Sequence, residues 1–219
     1  PMGSYEDFTT DEDRWHLAHY VKSLATEKEI ESEVVLKSKL LQGEIPFDPS
    51  DAIWEEMKPF KITLTGQIIK RPMLWTPSIE SVKVRSLYNG QEIAFLLEWN
   101  DITNKQDKVF QDAIALQFPV IIPESAEKPY FFMGNRGNPV NLWTWKAELP
   151  ASEGEVVHEG EYVTEMNAEG PENVTIQPPD NQDVKVISIW EKGRWRVVMK
   201  RSLRTNEKNM NVQFMEEAF

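Results

Sequence analysis

The 219-residue chain contains no cysteine. That absence excludes disulfides, thiolate nucleophiles, cysteine zinc sites, iron–sulfur ligation and covalent haem attachment together. Histidine is scarce, with three residues, His16, His19 and His158, so a metal would fall to His, Met, Lys or carboxylate. Basic charge is also short: 24 Lys+Arg face 36 Asp+Glu, a net charge of −12. Such a surface repels phosphate backbones and anionic lipid, so neither nucleic acid nor a membrane surface is an expected partner. No run of about 18 apolar residues is present, which leaves no candidate membrane span in this chain. No basic-then-apolar segment opens it, so if the protein is exported its signal is expected to lie upstream.

Chemical motifs are missing as well. No nucleophile–base spacing, phosphate loop or zinc helix occurs. Gly134 and Gly137 stand before a strand pattern rather than between a strand and a helix, so they read as a turn and not a dinucleotide site. His16 and His19 sit three apart with no evident third ligand, and His158 reads as a surface residue. No two carboxylates pair themselves as acid and base.

What is abundant is aromatic: eight Trp, within 11% aromatic residues. Thr9 to Leu24 reads as a helix, with Thr10 and Asp13 as a capping box and Trp15, Ala18, Val21 and Leu24 along one face. Ala25 to Lys39 is charged and weakly periodic, and a module boundary is expected there, dividing residues 1–39 from 40–219. Beyond it, short β-branched and aromatic runs separated by Pro, Gly and Asn give the pattern of an antiparallel sandwich. The expected strands are Lys61–Gln67, Ser81–Leu87, Glu92–Trp99, Asp112–Phe118, Val140–Lys146, Val184–Glu191 and Arg194–Arg201. Asn89-Gly90 and Lys192-Gly193 should close two hairpins. Pro150 to Pro179, rich in Glu, Gly and Pro, is expected to form an acidic excursion outside the core.

One segment concentrates groups suited to a hydrophobic cofactor. Pro129 to Lys146 brings Tyr130, Phe131, Phe132, Met133, Trp143 and Trp145 around a Gly/Asn-rich turn. Aromatic walls can shield a porphyrin from water, and a thioether is a soft axial ligand that raises an iron potential. The same residues would also serve as ordinary core, with Met133 as filler.

Several segments in order resemble one family, the haem b subunits of the ethylbenzene dehydrogenase, dimethyl sulfide dehydrogenase and selenate reductase group. They are Asp51-Ala52-Ile53-Trp54, Gly90 through Trp99-Asn100-Asp101, Asp112 to Pro119, Met133-Gly134, Asn138 to Ala147, and Gly193 to Val198 with Arg201. The resemblance implies an all-β, immunoglobulin-like antiparallel β-sandwich with an N-terminal helical appendage. It further implies one non-covalent haem b between Met and Lys ligands. The methionine carries over to Met133, and the lysine to Lys200, with Lys146 as the alternative. Phe132, Trp143 and Trp145 would then line the cofactor. A lysine ligates iron only as the neutral amine, so burial and the metal's charge must lower its pKa.

A second resemblance covers the first 25 or so residues. Pro1-Met2-Gly3-Ser4-Tyr5, Asp11 to Trp15 and His19 to Leu24 are similar to the methionine loop and closing helix of a class I cytochrome c. It implies that the chain is the C-terminal piece of a longer protein whose upstream module held haem c. The implied role is non-catalytic electron transfer outside the cytoplasm, in the periplasm or an equivalent space. The implied partners are a molybdenum-containing oxidoreductase with an iron–sulfur subunit and a c-type cytochrome. Two alternatives stand beside it: a carbohydrate-binding sandwich whose Trp residues stack on sugars, and a docking platform without cofactor.

Overall fold

The computed structural model describes residues 35–68, 71–103, 111–123, 128–147, 156–157 and 163–214, together with Thr10 and His16. The chain divides into two compact units, Pro1–Val35 and Leu36–Phe219. In the first, His16 is helical and exposed. Thr10 is described and exposed; the other residues of the expected helix, with His19 and most of the cytochrome c-like segment, lie outside the described residues, as does His158.

The second unit is built from two antiparallel-rich sheets. Alternation of large and small or polar residues makes each strand two-faced, and both sheets turn one apolar face inward. Among the described residues the larger sheet, sheet A, has seven strands in the order β1(Lys39–Leu40), β3(Ser81–Tyr88), β4(Glu92–Asn100), β11(Arg194–Ser202), β10(Lys185–Glu191) and β7(Val156–Val157), with β2(Phe60–Thr63) also pairing β3. Sheet B runs β5(Ala113–Pro119), β6(Val140–Lys146), β8(Val163–Ala168) and β9(Val174–Ile176).

Turn chemistry fixes the registers. Asn89 accepts from the Gln91 and Glu92 amides through Oδ1, at 3.1 and 2.8 Å, while Gly90 takes φ +83°. Lys192 and Gly193, at φ +52° and +70°, form the tight connection between β10 and β11, whose paired positive φ values match the twist of the strands. The core between the sheets takes Val82, Val84, Ile93, Phe95, Leu97 and Trp99 from β3 and β4, Trp195, Val197 and Met199 from β11, and Trp143 and Trp145 from β6. Its rings pack edge to face or tilted: Trp145 meets Trp195 at 4.9 Å and Phe118 meets Trp143 at 4.8 Å between centroids, a geometry favoured by ring quadrupoles.

One expectation fails. The stretch read as an acidic excursion supplies β8 and β9, and its Glu165, Ala168 and Gln177 are buried. The reading went wrong because a glutamate at a core-facing position looks like a surface residue until its partner is found. That partner, Arg201, is on β11.

The outer face of sheet A is closed by the chain's own segment 41–57. Trp54, held by a short 3-10 turn (Ala52–Glu56) whose N-cap Asp51 accepts from the Ile53 amide, is 0% exposed. It packs with Ile45, Leu87, Ala94, Leu96 and Val198, and its indole N–H donates to the Asp48 carbonyl at 3.1 Å.

A candidate cofactor-binding face

Strand alternation decides where each candidate residue points. On β6, Trp143 and Trp145, expected to line a cofactor, face inward at 0% and 1% exposure and are part of the core. Trp143 donates its indole N–H to Asn141 Oδ1 at 2.9 Å, and Trp145 packs on Trp99 and Trp195. The alternate residues, Val140, Leu142, Thr144 and Lys146, therefore face outward.

Met133 joins that outer face. It packs against Val140, Leu142 and Ala168 together with Met166. Its backbone is left-handed, φ +60°, a conformation that costs a non-glycine residue about 1 kcal/mol or more and is found at binding sites more often than elsewhere. Two hydrogen bonds hold it: the Met133 amide donates to Gln117 Oε1 at 2.9 Å, and its carbonyl accepts from the Gly170 amide at 2.8 Å. The next residue must be glycine, because a Cβ at Gly134 (φ +72°) would lie 2.8 Å from the Asn138 carbonyl oxygen and 3.0 Å from that of Ala168. Phe132, in the same turn, is half-buried, and Phe131 beside it is 74% exposed.

Cross-strand registers map the rest of the face. Gln117 lies beside Leu142, Ala115 beside Thr144 and Ala113 beside Lys146, while Met166 and Thr164 flank Leu142 and Thr144 on the other side. From Met133 toward Lys146 the floor thus runs from Leu142 and Met166 over small residues, Ala115, Thr144 and Thr164. Lys146 lies four residue steps along β6 from Leu142, a span of about 13 Å. Lys146 is exposed at the far end and is the charged residue of this face on the strands. The signal for the strip is present in the sequence, since Asp112 to Pro119 alternates Ala113, Ala115 and Gln117 with Ile114, Leu116 and Phe118, but it was not read as part of a site.

Lys200 is elsewhere. On β11 it alternates with the core residues Met199 and Arg201 and so points to the outer face of sheet A, where it is 8% exposed. Its ammonium lies 5.0 Å from the Phe47 ring centroid and 3.6 Å from Glu92 Oε2. The fold therefore does not bring Met133 and Lys200 together: the whole sandwich core stands between them. It does bring Met133 and Lys146 onto one face.

Behind this face, across a single sheet, lies a buried ion pair. Glu165 and Arg201 side chains are both fully buried, 3.6 Å apart. Glu165 Oε1 accepts from the Asp183 and Val184 amides at 2.6 and 2.8 Å. The Arg201 guanidinium stacks on Trp143 and Phe214 and donates to Asn141 Oδ1 and to the Ser202 and Val212 carbonyls. Burial pushes the Glu165 carboxyl above its ordinary pKa, against the opposing pull of Arg201 and the two amides. No group of three His, Cys, Asp or Glu residues able to hold a metal occurs among the described residues, and none of their helices is long and apolar enough to cross a membrane.

Residues 51–174, more than half of the chain, match the family model described as ethylbenzene dehydrogenase. The chain belongs to the ethylbenzene dehydrogenase family. A protein of Haloferax mediterranei whose name proposes a respiratory nitrate reductase heme subunit is 27% identical over 182 residues, 81% of this chain and 59% of the relative. The chlorate reductase subunit gamma of Ideonella dechloratans is 25% identical over 174 residues, 75% of this chain and 64% of the relative. The chain thus spans less than two thirds of the length of either. The family match covers Trp54, the Met133-Gly134 turn, Lys146 and Glu165; Arg201 and Lys200 lie beyond it.

Proposed function

We propose that the unit Leu36–Phe219 is a haem-bearing, electron-transferring part of a larger oxidoreductase, and that catalysis belongs to a partner. Membership of the family and the names of the two relatives, a heme subunit and a gamma subunit of reductases, support this reading. The observation that carries it is the outer face of sheet B: a floor of uncharged, largely small residues between a thioether at one end and a lysine at the other.

That face suits one haem b. Met133 would supply a soft sulfur donor held in place by its strained backbone, and Lys146 a nitrogen donor from the opposite end. Lys200, under Phe47 on the other face, would keep a structural role. When bound, haem b supplies a one-electron ferric–ferrous couple. The chain's own contribution is to hold the two donors apart, to exclude water with Leu142, Met166 and the Phe131 side of the turn, and to keep carboxylates off the floor. Removing water and adding iron's charge would together favour the neutral Lys146 amine. The remaining expectations accompany this reading: an immunoglobulin-like class for the sandwich, a molybdenum-containing partner with an iron–sulfur subunit, exchange with c-type haem, an upstream cytochrome c module, and a periplasmic or other extracytoplasmic site. A sugar-stacking role is disfavoured, since Trp143 and Trp145 are core.

The test is a visible spectrum of the purified protein, oxidised and dithionite-reduced, with a pyridine haemochrome assay. One haem b per chain is expected. Met133→Ala and Lys146→Ala should each alter the reduced low-spin spectrum, whereas Lys200→Ala should leave it unchanged. A colourless protein that refuses added haemin overturns the reading, and a spectrum sensitive only to Lys200 overturns the choice of face.

A further inference from the structure

The buried Glu165–Arg201 pair is charged, inaccessible and unused by the scheme above. Its geometry is incomplete. Glu165 Oε1 has two amide donors, but Oε2 has no hydrogen-bond partner although fully buried. Arg201, 3.6 Å away, has committed its three nitrogens to Ser202, Asn141 and Val212. The other buried side-chain acceptors without a partner, Asn167 Oδ1 and Gln177 Oε1, sit on the same inner edge of sheet B: Asn167 is two residues along β8, and Gln177 donates its amide to Asn211 at 2.7 Å while its own backbone N–H donates to the Glu165 carbonyl. Glu165 Oε2 is thus one of three buried side-chain acceptors in this corner that lack a hydrogen-bond partner among the described residues. A buried acceptor left without a hydrogen bond is unfavourable, and one proton on Glu165 Oε2 would turn that acceptor into a donor.

The pair also lies where it would respond to charge on the proposed site. Glu165 is in register with Trp143, and the adjacent pair in that ladder, Leu142 and Met166, is the floor against which Met133 packs. Only the thickness of one sheet separates the carboxylate from that floor. Glu165 is fully buried, so a change of one unit of charge on one side of the sheet is screened less on the other than it would be in solvent. The charged groups facing Glu165 are Arg201 from β11 and Asp183 from the segment before β10; Asn141 of β6, Gln177, Gln182 and Asn211 complete its polar surroundings. Asp183, whose backbone N–H donates to Glu165 Oε1, is exposed and accepts from Asn211 Nδ2 at 3.3 Å, so the carboxylate is hydrogen-bonded directly to a residue at the surface.

We infer that Glu165 is the proton-accepting group coupled to reduction of the cofactor on the outer face of sheet B. The inference rests on the proposed haem site. In the step, a one-electron donor reduces the site by one electron, and one proton from water forms an O–H bond at Glu165 Oε2, so net charge in this part of the protein is unchanged. Glu165 is a positioning and charge-compensating group and touches no cofactor atom in this scheme.

The haem-loaded full chain tests this by potentiometric titration against pH. A proton taken up on reduction makes the midpoint potential fall as pH rises, across a window on the order of one pH unit wide, and flat on either side. Glu165→Gln should abolish the slope and raise the potential on the alkaline side, where the wild type carries the carboxylate. Because Glu165→Gln leaves Arg201 without its counter-charge, the wild type is measured independently by redox-induced infrared difference spectroscopy with isotope-labelled glutamate. A protonated-carboxyl band should appear on reduction, at pH values within the window. A pH-independent potential and no carboxyl band in a haem-loaded protein overturn the role of Glu165 alone, as does a slope that persists in Glu165→Gln. Failure to bind haem at all overturns the site on which it rests.

Discussion

The two outer faces of the sandwich have been used in opposite ways. On sheet A the outer face is charged and covered: Glu98 receives Arg85 and Arg196, Glu55 of the covering 3-10 turn adds to the same network, and Trp54 seals the apolar half. On sheet B it is open and, apart from Lys146 at one end, uncharged on its strands, with Ala113, Ala115 and Gln117 exposed and Ile176 at 65% exposure. A sandwich needs one core, the layer between its sheets, so each outer face shows how the fold was adapted. Covering a face adds burial, about 1.5–3 kcal/mol for each large apolar side chain. An open apolar face returns nothing to stability and persists where something binds.

If this contrast is real, substitutions on the covered face should cost stability and those on the open face should cost binding. Trp54→Ala gives the largest expected loss. It removes a fully buried indole and leaves the Asp48 carbonyl without its donor, which should lower the unfolding free energy by about 3–5 kcal/mol in an equilibrium urea titration. A loss under about 1 kcal/mol would show that the cover peels away freely, and the two faces would then be alike. Gly134→Ala comes next, at about 1–3 kcal/mol, from a left-handed backbone and a Cβ against two carbonyl oxygens. It should also perturb the haem spectrum, because it displaces the Met133 turn. An altered stability with an untouched spectrum would detach that turn from the site.

Much of this was legible in the chain, and the failures have physical causes. Val140–Lys146 was located to the residue, since a bulky strand bounded by Asn138-Pro139 leaves little freedom in register. Both hairpins followed from Asn-Gly and Lys-Gly pairs, which supply positive φ where the twist needs it. The Trp-Thr-Trp alternation already put both indoles on one face of β6. What it could not say was that Met133, ten residues before Trp143, folds back onto the other face. That depends on the turn at Met133 and Gly134 and on contacts with β8. β8 itself was missed because Glu165 is apolar in its burial but not in its chemistry, and the arginine that makes the burial tolerable is 36 residues away. The placement of Lys200 was hidden for a related reason: its strand is core on one side and covered on the other, and only the cover, with Phe47 beside the ammonium, shows which face buries it.

The smallest expected effect is the sharpest check on the open face. Ile176, on β9 beside Met166, is an exposed isoleucine at the margin of the uncharged floor. Replacing it with serine removes apolar surface that is already in water, so stability should change by no more than about 0.5 kcal/mol. Any covering group or partner that uses this margin would feel the loss of the branched side chain, and haem retention during dilution should weaken measurably. A destabilisation of about 2 kcal/mol would mean that Ile176 is buried in the free protein, and the face would be closed, as on sheet A. Unchanged stability with unchanged retention would leave the face open but shift the site away from β9, toward β5 and the Phe131 side of the turn.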